Sequence, residues 1–484
     1  MDKLYQLALN NVNSVNSNET HQVVKGIQNL LPASLVDEIA RDTKLMTRSR
    51  KFSPAAFVYA LIQFCSRGKV NSGQYTISNF QENFYNDIVE KDDLSIMDQK
   101  SFHDKLRKPE MLIFMTQIIE RLQKFIKGNN AYSAHADLVK NYAKSLGITD
   151  IVSVDGCELF VRPSCAKNFN CKTSGKKRTQ RGVQKDNAGI KIHGGFSNAT
   201  GSFSHIDITE GVGSERASVN AELYPAGTLF IMDRGYIDKV AEEKYGQRGQ
   251  FYIVKYRTNC QGEVISATNE KGEEVECLYG SAPSAALPDN RTDKWIDMVV
   301  KRPDDDTCFR LIRVRNIGKD ADHENNEWSY YATNLPATHV NAFAVYLTYR
   351  CRWAGSEHSF KCLQSGNGMR AINSSDKVIM LTFILGNILS FIFKNIIAII
   401  IKRIYKFEAI GHFSLIRIHL KMICSTPLLR ALYKGTRSTI YFHIGKIKDK
   451  IIRACTRKPA SKRDIENYKD LPTVCQIIGG LLKA

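Results

Sequence analysis

The 484-residue sequence has few of the features that would assign it at once to a common class of protein. Its twelve cysteines contain no CxxC pair, and Cys157, Cys165 and Cys171 do not have the spacing of zinc ligands. The first residues, MDKLYQLALNN, do not resemble a signal peptide. Internal repeats and long low-complexity tracts are also missing. We therefore expect free thiols in a reducing cytosol, and a chain long enough for more than one domain.

Acidic residues are scarce relative to basic ones. The 68 Lys and Arg outnumber the 49 Asp and Glu, which gives a formal net charge of +19. Such an excess favours a polyanionic partner, most simply nucleic acid. The segment from Ile404 to the C-terminus has 16 Lys or Arg and 5 Asp or Glu, and the run Ala166–Lys185 has seven Lys or Arg and no acid. A solvated loop would have the same composition, but we favour DNA contact for this run. Its candidate phosphate contacts are Lys176, Lys177, Arg178 and Arg181.

One long apolar stretch, Val378 to Ile401, has the length of a membrane span. Asn387, Ser390, Lys394 and Asn395 interrupt it, and the rest of the chain reads as soluble. A helix that is apolar all round is either a membrane span or a buried core helix, and we favour the core helix. The alternative is a membrane-associated protein whose basic tail binds anionic lipid.

The N-terminal third has the pattern of short helices. SPAAFVYALIQFCSRG has apolar residues at helical spacing, with Ser53 as N-cap and Pro54 at the first helical position. SIMDQKSFHDKLRK and PEMLIFMTQIIERLQKFI continue the pattern. These helices suit a helix-turn-helix DNA-binding domain, although a generic helical domain would look similar.

Strand patterns begin at Ile151. IVSVDGCELFV and GTLFIMDRGYID each contain an apolar strand that is predicted to end on an acid, Asp155 and Asp233 respectively. An Asp in this position is often only a turn former or a helix cap. Two carboxylates at adjacent strand ends, however, would form an oxygen site suited to Mg²⁺ or Mn²⁺. Two such ions about 4 Å apart activate a water or a 3′-hydroxyl at a phosphodiester. Glu357, within YRCRWAGSEHSFK, is the candidate third carboxylate.

Four motifs together resemble the DDE transposases of bacterial insertion sequences, and among them the insertion-sequence-four type. They are VDG at Asp155, DRGY at Asp233, YATNLP from Tyr331 to Pro336, and YRCRW…EHSFK from Tyr349. The resemblance implies an α/β fold: a ribonuclease-H-like catalytic core interrupted by a β-rich insertion, with helical N-terminal and C-terminal regions. The boundaries we expect are 1–145 for the helical DNA-binding domain, 146–245 for the first part of the core, 246–336 for the insertion, 337–403 for the end of the core and 404–484 for the basic helical region.

The resemblance also implies roles for individual residues. Asp155, Asp233 and Glu357 match the metal-binding triad, which holds two Mg²⁺ or Mn²⁺ ions. Tyr349 and Arg352 match the residues that hold the phosphate backbone near the cleaved end. Two further positions, Lys361 and Trp328, match a DNA-contacting Lys and a Trp that stacks on a flipped base. For Trp328, a core position in its strand is an equal alternative.

Two departures from the family pattern concern the catalytic helix. Four residues, WAGS, separate Arg352 from the Glu, where the family has three. At about 100° per residue, a straight helix would turn Glu357 about 80° away from Tyr349. Gly355 offers a place for a bulge or break that restores the alignment. The final Lys of the signature is replaced by Gln364, which brings no charge.

The function that the resemblance implies is cut-and-paste DNA transposition. The expected partners are double-stranded DNA, as terminal repeats and as target, and a second copy of the chain in a homodimer on DNA, without a membrane. The expected location is the bacterial cytoplasm, on the nucleoid. The alternatives are a catalytically decayed transposase that binds DNA without cutting it, and a metal nuclease without strand transfer.

Overall fold

The structure of the chain is a computed structural model. It describes residues 25–482 except for 48–50, 68–75, 90–96, 128–135, 162–164, 166, 170–187, 214–219, 237–238, 317–326, 353–355, 357, 368, 370–373, 405–414, 423 and 456–470.

A mixed nine-stranded sheet lies at the centre of the described part of the chain. Its strands are β1 (Asp150–Val161), β2 (Ala188–Ser197), β3 (Ser202–Glu210), β4 (Thr228–Met232), β5 (Phe251–Tyr256), β6 (Glu263–Asn269), β7 (Trp295–Lys301), β8 (Cys308–Arg315) and β9 (Trp328–Thr333). They lie in the order β3-β2-β1-β4-β5-β9-β8-β7-β6. β4 is parallel to both of its neighbours, β1 and β5. The other neighbouring pairs are antiparallel.

Most of these strands follow from the sequence pattern. The predicted hairpin after residue 187 is observed as β2 and β3, and the apolar runs after Gln250 are observed as β5, β7, β8 and β9. β6 is not apparent in the sequence, because a register shift between Val264 and Ser266 disrupts the alternation of buried and exposed side chains.

Helices precede the sheet and follow it, and one helix lies between β4 and β5. Those before β1 are α1 (Ala33–Asp42), α2 (Pro54–Ser66), α3 (Ile77–Phe80), α4 (Asn86–Ile88), α5 (Gln99–Leu106), α6 (Glu110–Lys127) and α7 (Ala136–Leu146), with a π-helical turn (Gln81–Tyr85) between α3 and α4. Those after β4 are α8 (Lys239–Gln247), α9 (Ala342–Arg352), α10 (His358–Lys361), α11 (Lys377–Ile404), α12 (Leu415–Lys421), α13 (Thr426–Lys434), α14 (Arg437–Cys455) and α15 (Leu471–Leu481). The predicted start of α2 is observed: Ser53 Oγ accepts a hydrogen bond of 3.2 Å from the Ala56 backbone N–H.

The long apolar helix α11 packs against α2 and α6. Lys377–Ala398 has the length and composition of a membrane span, but 89% of its most apolar window is buried inside the protein. The approach to α2 is close: a Cβ on Gly386 would lie 2.6 Å from Leu61 Cγ. The helix therefore occupies the core position that we favoured from its sequence.

A buried lysine in α11 ties several segments together. Lys394 Nζ donates hydrogen bonds to Ser66 O at 2.9 Å, Asn367 Oδ1 at 3.0 Å and His419 O at 3.0 Å. The three acceptors belong to α2, to the turn after α10 and to α12. Burial lowers the pKa of Lys394 to about 8.

Helices cover one face of the central strands close to the motifs. α9 packs on β4 and β5, with α7 and α15 beside it. Ile231, Ile253 and Tyr331 form the strand side of this layer. The opposite face of the same strands forms a separate apolar cluster that includes Val152, Val154 and Met232. The sheet therefore presents its helix-covered face to the Tyr349 and Arg352 side chains of α9.

Candidate active site

The register of two parallel strands brings Asp155 and Asp233 next to each other. The β1–β4 ladder pairs Asp150 with Thr228 and ends where Ser153 pairs with Ile231. Asp155 and Asp233 each come two residues after this last pair, so the two carboxylates belong to neighbouring positions at the same end of the ladder.

The prediction that the first strand ends at Asp155 is wrong. β1 continues to Val161, because its antiparallel pairing with β2 extends from Val152 to Val161. Asp155 stands instead where the parallel ladder to β4 stops. Asp233, in contrast, directly follows the last residue of β4, as expected.

Each carboxylate is oriented by the chain that follows it. Asp155 Oδ1 accepts a hydrogen bond of 2.9 Å from the Gly156 backbone N–H. Asp233 Oδ1 accepts one of 2.8 Å from the Arg234 backbone N–H. One oxygen of each carboxylate is therefore fixed relative to the backbone of the following residue.

Arg352 pairs with the first carboxylate. Its Nη1 lies 3.0 Å from Asp155 Oδ2, and the two side chains are only 14% and 21% exposed. Burial alone would lower the pKa of Arg352, but Tyr349, Asp155 and Asp233 together raise it. The residue that we expected to contact DNA is thus a fixed positive charge beside the aspartates.

Tyr349 connects this arginine to the sheet. The Arg352 guanidinium carbon lies 5.6 Å from the centre of the Tyr349 ring, and that ring packs 4.9 Å from the ring of Tyr331 on β9. Burial raises the pKa of Tyr349, and the nearby Asp233 and Asp155 add to this rise. Tyr349 therefore stays a neutral phenol close to both carboxylates.

The segment with the third acid is only partly described. Helix α9 ends at Arg352, whose carbonyl oxygen accepts a bond of 3.4 Å from Ser356 Oγ. The chain then forms α10 and a π-helical turn at Cys362–Gly366. Glu357 and Gly355 lie outside the described residues, so the predicted realignment at Gly355 stays a prediction. Lys361, at the end of α10, is exposed to solvent.

Among the remaining predicted DNA contacts, Trp328 is the one that the structure describes. Trp328 is only 7% exposed, and the guanidinium carbons of Arg313 and Arg315 lie 4.3 and 4.7 Å from its ring centre. This buried position is the one that the core alternative describes. Stacking on a base would require the arginines to leave one face of the ring, so the base-stacking role of Trp328 stays a prediction. The four basic residues Lys176, Lys177, Arg178 and Arg181 lie outside the described residues.

The structure adds two neighbours that the sequence did not reveal as part of the site. His193 of β2 and Tyr236 of the turn after Asp233 lie behind Gly156, with 3.3 Å between His193 Nδ1 and the Tyr236 hydroxyl. Tyr236 stands within the DRGY motif, so the motif was a signal for it. No sequence signal pointed to His193.

Paired carboxylates on adjacent strands fit a hard divalent cation. Mg²⁺ binds through one or two protein carboxylates and keeps its other positions for water and phosphate. Asp155 and Asp233 supply such a pair, although one Asp155 oxygen is shared with Arg352. In the part of the chain that the structure describes, no group of three or more His, Cys, Asp or Glu is arranged for a metal. A complete site therefore needs a ligand from another segment or from substrate.

Comparison with known proteins identifies the class to which this fold and site belong. The family model of the transposase DDE domain matches residues 147–390, half of the chain, and the chain therefore belongs to this family. The match begins before β1 and ends within α11, so it includes every described residue of the candidate site. No curated protein matches the sequence. Membership supports a transposase function, with DNA as the molecule acted on and with the divalent metal ions that the family generally uses.

Proposed function

We propose that the chain is a cut-and-paste DNA transposase of the insertion-sequence-four type, which binds terminal repeats, hydrolyses phosphodiester bonds at the element ends and transfers the strands to target DNA. The observation that carries the proposal is the pairing of Asp155 and Asp233 across adjacent parallel strands, with Arg352 held against them. Family membership supports the same conclusion.

The catalytic core would be ribonuclease-H-like. Support comes from the first five strands, in which β1, β4 and β5 are parallel and β2 and β3 form an antiparallel edge. β6 to β9 would be the β-rich insertion, joined to the core through the β5–β9 pairing. The five regions keep the expected boundaries 1–145, 146–245, 246–336, 337–403 and 404–484, although β5 (Phe251–Tyr256), which extends the core sheet, then lies within the 246–336 region.

Asp155, Asp233 and Glu357 would hold two Mg²⁺ or Mn²⁺ ions. Bound there, the ions would supply activation of a water or 3′-hydroxyl and stabilisation of the leaving oxygen. Arg352 offers N–H donors in the planar arrangement that fits a phosphate, and the guanidinium group carries its positive charge at every relevant pH. Tyr349, held neutral by burial, would donate a hydrogen bond to the same phosphate. The exposed Lys361 would contact the DNA backbone further along α10.

The rest of the chain would hold the DNA. Residues 1–145 would bind the terminal repeats, and the basic run Lys167–Lys185 would follow the phosphates. Two element ends have to be brought together, which favours a homodimer on DNA, in the bacterial cytoplasm on the nucleoid. The basic C-terminal region would contribute to dimerisation or to DNA binding. Trp328 would stack on a flipped base only if its arginine neighbours move away.

The proposal is tested with linear DNA that carries the flanking terminal repeats. Wild type and Glu357→Ala are compared in Mg²⁺ or Mn²⁺ for binding, cleavage and strand transfer. Cleavage at the repeat ends that is lost in Glu357→Ala, with binding retained, would support the proposal. Binding without cleavage in both proteins would favour the decayed transposase, for which the extra residue before Glu357 and Gln364 argue. Cleavage without strand transfer would favour a simple nuclease.

A further inference from the structure

A tyrosine hydroxyl lies on the face of the sheet opposite the α9 side chains. Asp233 is followed by a 3₁₀ turn, Arg234–Tyr236, in which the Tyr236 backbone N–H donates to Asp233 O at 3.1 Å. The Tyr236 side chain is buried in the apolar cluster that contains Val152 and Val154. Its position therefore depends directly on the position of Asp233, from which it is separated by two residues.

The partner of this hydroxyl is a histidine that is held from both sides. His193 is buried in β2, with Nδ1 3.3 Å from the Tyr236 hydroxyl and Nε2 3.2 Å from Thr209 Oγ1 on β3. The two rings meet nearly perpendicular, at 81°. His193 thus forms part of a polar chain that runs from the turn after Asp233 to β3.

Gly156 gives the hydroxyl the room it needs. In the β1–β2 ladder Gly156 is the residue opposite His193, and it directly follows Asp155. A Cβ on Gly156 would lie 2.6 Å from the Tyr236 hydroxyl and 3.1 Å from His193 Nδ1. Successive strand residues point to opposite faces, so Asp155 projects away from this contact while its neighbour lies against it.

We propose that Tyr236 and His193 are positioning residues that set the separation of the Asp155 and Asp233 carboxylates. The parallel ladder between β1 and β4 ends at Ser153 and Ile231, before either aspartate is reached. The contact between Tyr236 and His193 joins the turn after β4 to β2. Because His193 is paired with Gly156 of β1, this contact links the β1 and β4 sides beyond the end of their own ladder. This inference rests on the proposed role of the two aspartates as metal ligands, and it adds a second layer behind them.

Metal binding by the DNA-free, full-length chain tests the inference. Titration calorimetry with Mn²⁺ compares wild type, Tyr236→Phe, Asp155→Asn and a matched control, Tyr224→Phe. Tyr224 is also a buried tyrosine whose hydroxyl lies against a β2 glycine, Gly195, and it bonds Ser204 Oγ at 3.1 Å. Losing one hydrogen bond at the contact should weaken Mn²⁺ binding about two- to tenfold in Tyr236→Phe. Tyr224→Phe should bind Mn²⁺ as wild type does.

Cleavage kinetics separate positioning from a purely structural role. In Tyr236→Phe the Mn²⁺ concentration for half-maximal cleavage should rise by the same factor, while kcat at saturating Mn²⁺ stays close to that of wild type. Mn²⁺ binding by Tyr236→Phe that equals wild type would overturn the inference and leave the proposed function standing. If wild type binds Mn²⁺ no more tightly than Asp155→Asn does, Asp155 is not a metal ligand. The proposed metal site and this inference would then both be wrong.

Two substitutions combined in one protein test whether Tyr236 acts through its contact with Gly156. Gly156→Ala should weaken Mn²⁺ binding more than Tyr236→Phe does, because the new Cβ displaces the hydroxyl. Removing that oxygen should relieve the clash, so Gly156→Ala combined with Tyr236→Phe should bind Mn²⁺ more tightly than Gly156→Ala alone. If the changes in Mn²⁺ binding free energy caused by the two substitutions are additive, they contradict the coupling between Tyr236 and Gly156 that we infer. Tyr236→Phe still decides the question if Gly156→Ala does not fold.

Discussion

At the scale of single residues, Arg352 has two partners that compete for its guanidinium group. The family resemblance assigns it to a DNA phosphate, whereas the structure pairs it with Asp155. Both partners are anionic oxygens with matching geometry, so the arginine can exchange one for the other without a change of charge. In the protein without DNA, its contribution is to reduce the repulsion between Asp155 and Asp233.

Arg352→Ala should therefore reduce stability in a way that metal corrects. Without its cation, the carboxylate pair is poorly neutralised, and we expect a loss of about 1–3 kcal/mol in unfolding free energy in EDTA. Added Mg²⁺ should stabilise this variant more than it stabilises wild type, because the ion replaces the missing charge. Urea unfolding with EDTA and with Mg²⁺ measures both effects. An equal Mg²⁺ effect on the two proteins would argue against this role for Arg352.

The sequence predicted some of these neighbours and could not predict others. Asp155, Asp233, Tyr349 and Arg352 could be selected because each lies in a motif, and the structure brings these four together. The Arg352–Asp155 pair itself depends on how α9 packs on the sheet. His193 depends on the register between β1 and β2. Neither of these relations can be read from residue types along the chain.

At the scale of elements, the contact between α2 and α11 depends on a glycine. A side chain at Gly386 would meet three carbon atoms of Leu61 at 2.6 to 2.9 Å, whereas Gly445 in α14 has nothing within 4 Å. Gly386→Ala should destabilise the protein by about 1–3 kcal/mol through overpacking. Gly445→Ala should stabilise it by about 0.5–1 kcal/mol, because alanine is the better helix former. Chemical unfolding of both variants measures whether the two changes in unfolding free energy have opposite signs. A Gly386→Ala protein that is more stable than wild type would contradict the close packing of α2 and α11.

Lys394 should make stability depend on pH in the alkaline range. Its pKa is about 8 in the folded protein and about 10.4 in an unfolded chain. Between these values the unfolded chain binds the extra proton, so raising the pH through this window favours the folded state. Below about pH 8 Lys394 is charged in both states, and burial of its charge lowers the unfolding free energy by the full amount. Above about pH 10.4 it is neutral in both states, and this loss of unfolding free energy is absent.

The comparison with Lys394→Met isolates this effect. From about pH 8 to 10.4, wild type should gain up to about 3 kcal/mol in unfolding free energy relative to the variant. In the folded protein the groups that face the ammonium do not titrate in this window, because burial raises the pKa of Cys65, Cys362 and Cys424 and lowers that of His419. In the unfolded chain the thiols do titrate there, but they do so in both proteins and cancel in the comparison. Urea unfolding at several pH values gives the difference. A difference that does not change with pH would mean that Lys394 is not held in the dry site described.

Elements with strong local patterns were the predictable part of the fold. Ser53 with Pro54, the hairpin of β2 and β3, and the apolar strands all carry their own signal. The order of the strands in the sheet does not, because pairings such as β5 with β9 join segments far apart in the chain. The end of β1 was misjudged for the same reason, since its partner β2 determines how far it extends.

At the scale of the whole molecule, the net charge of +19 favours binding to DNA through phosphate contacts. Each phosphate contact releases counterions, so affinity should fall steeply as salt rises. Replacing Lys176, Lys177 and Arg178 together by Ala should make the slope of log K against log salt shallower by about three. Lys271→Ala, in an exposed turn after β6, should leave the slope unchanged. Fluorescence anisotropy with a labelled duplex measures both, and an unaltered slope in the triple variant would exclude the basic run from the DNA contact.

We propose that carboxylates from distant parts of the chain hold one metal centre. The most direct measurement replaces Mg²⁺ by Fe²⁺ in the DNA-free protein and adds ascorbate and peroxide, so that radicals formed at the bound iron cut the nearby backbone. Mass spectrometry should find cuts around Asp155, Asp233 and Glu357 that disappear with excess Mg²⁺ or in Asp155→Asn. Cuts elsewhere, or cuts that neither Mg²⁺ nor Asp155→Asn suppresses, would contradict the claim.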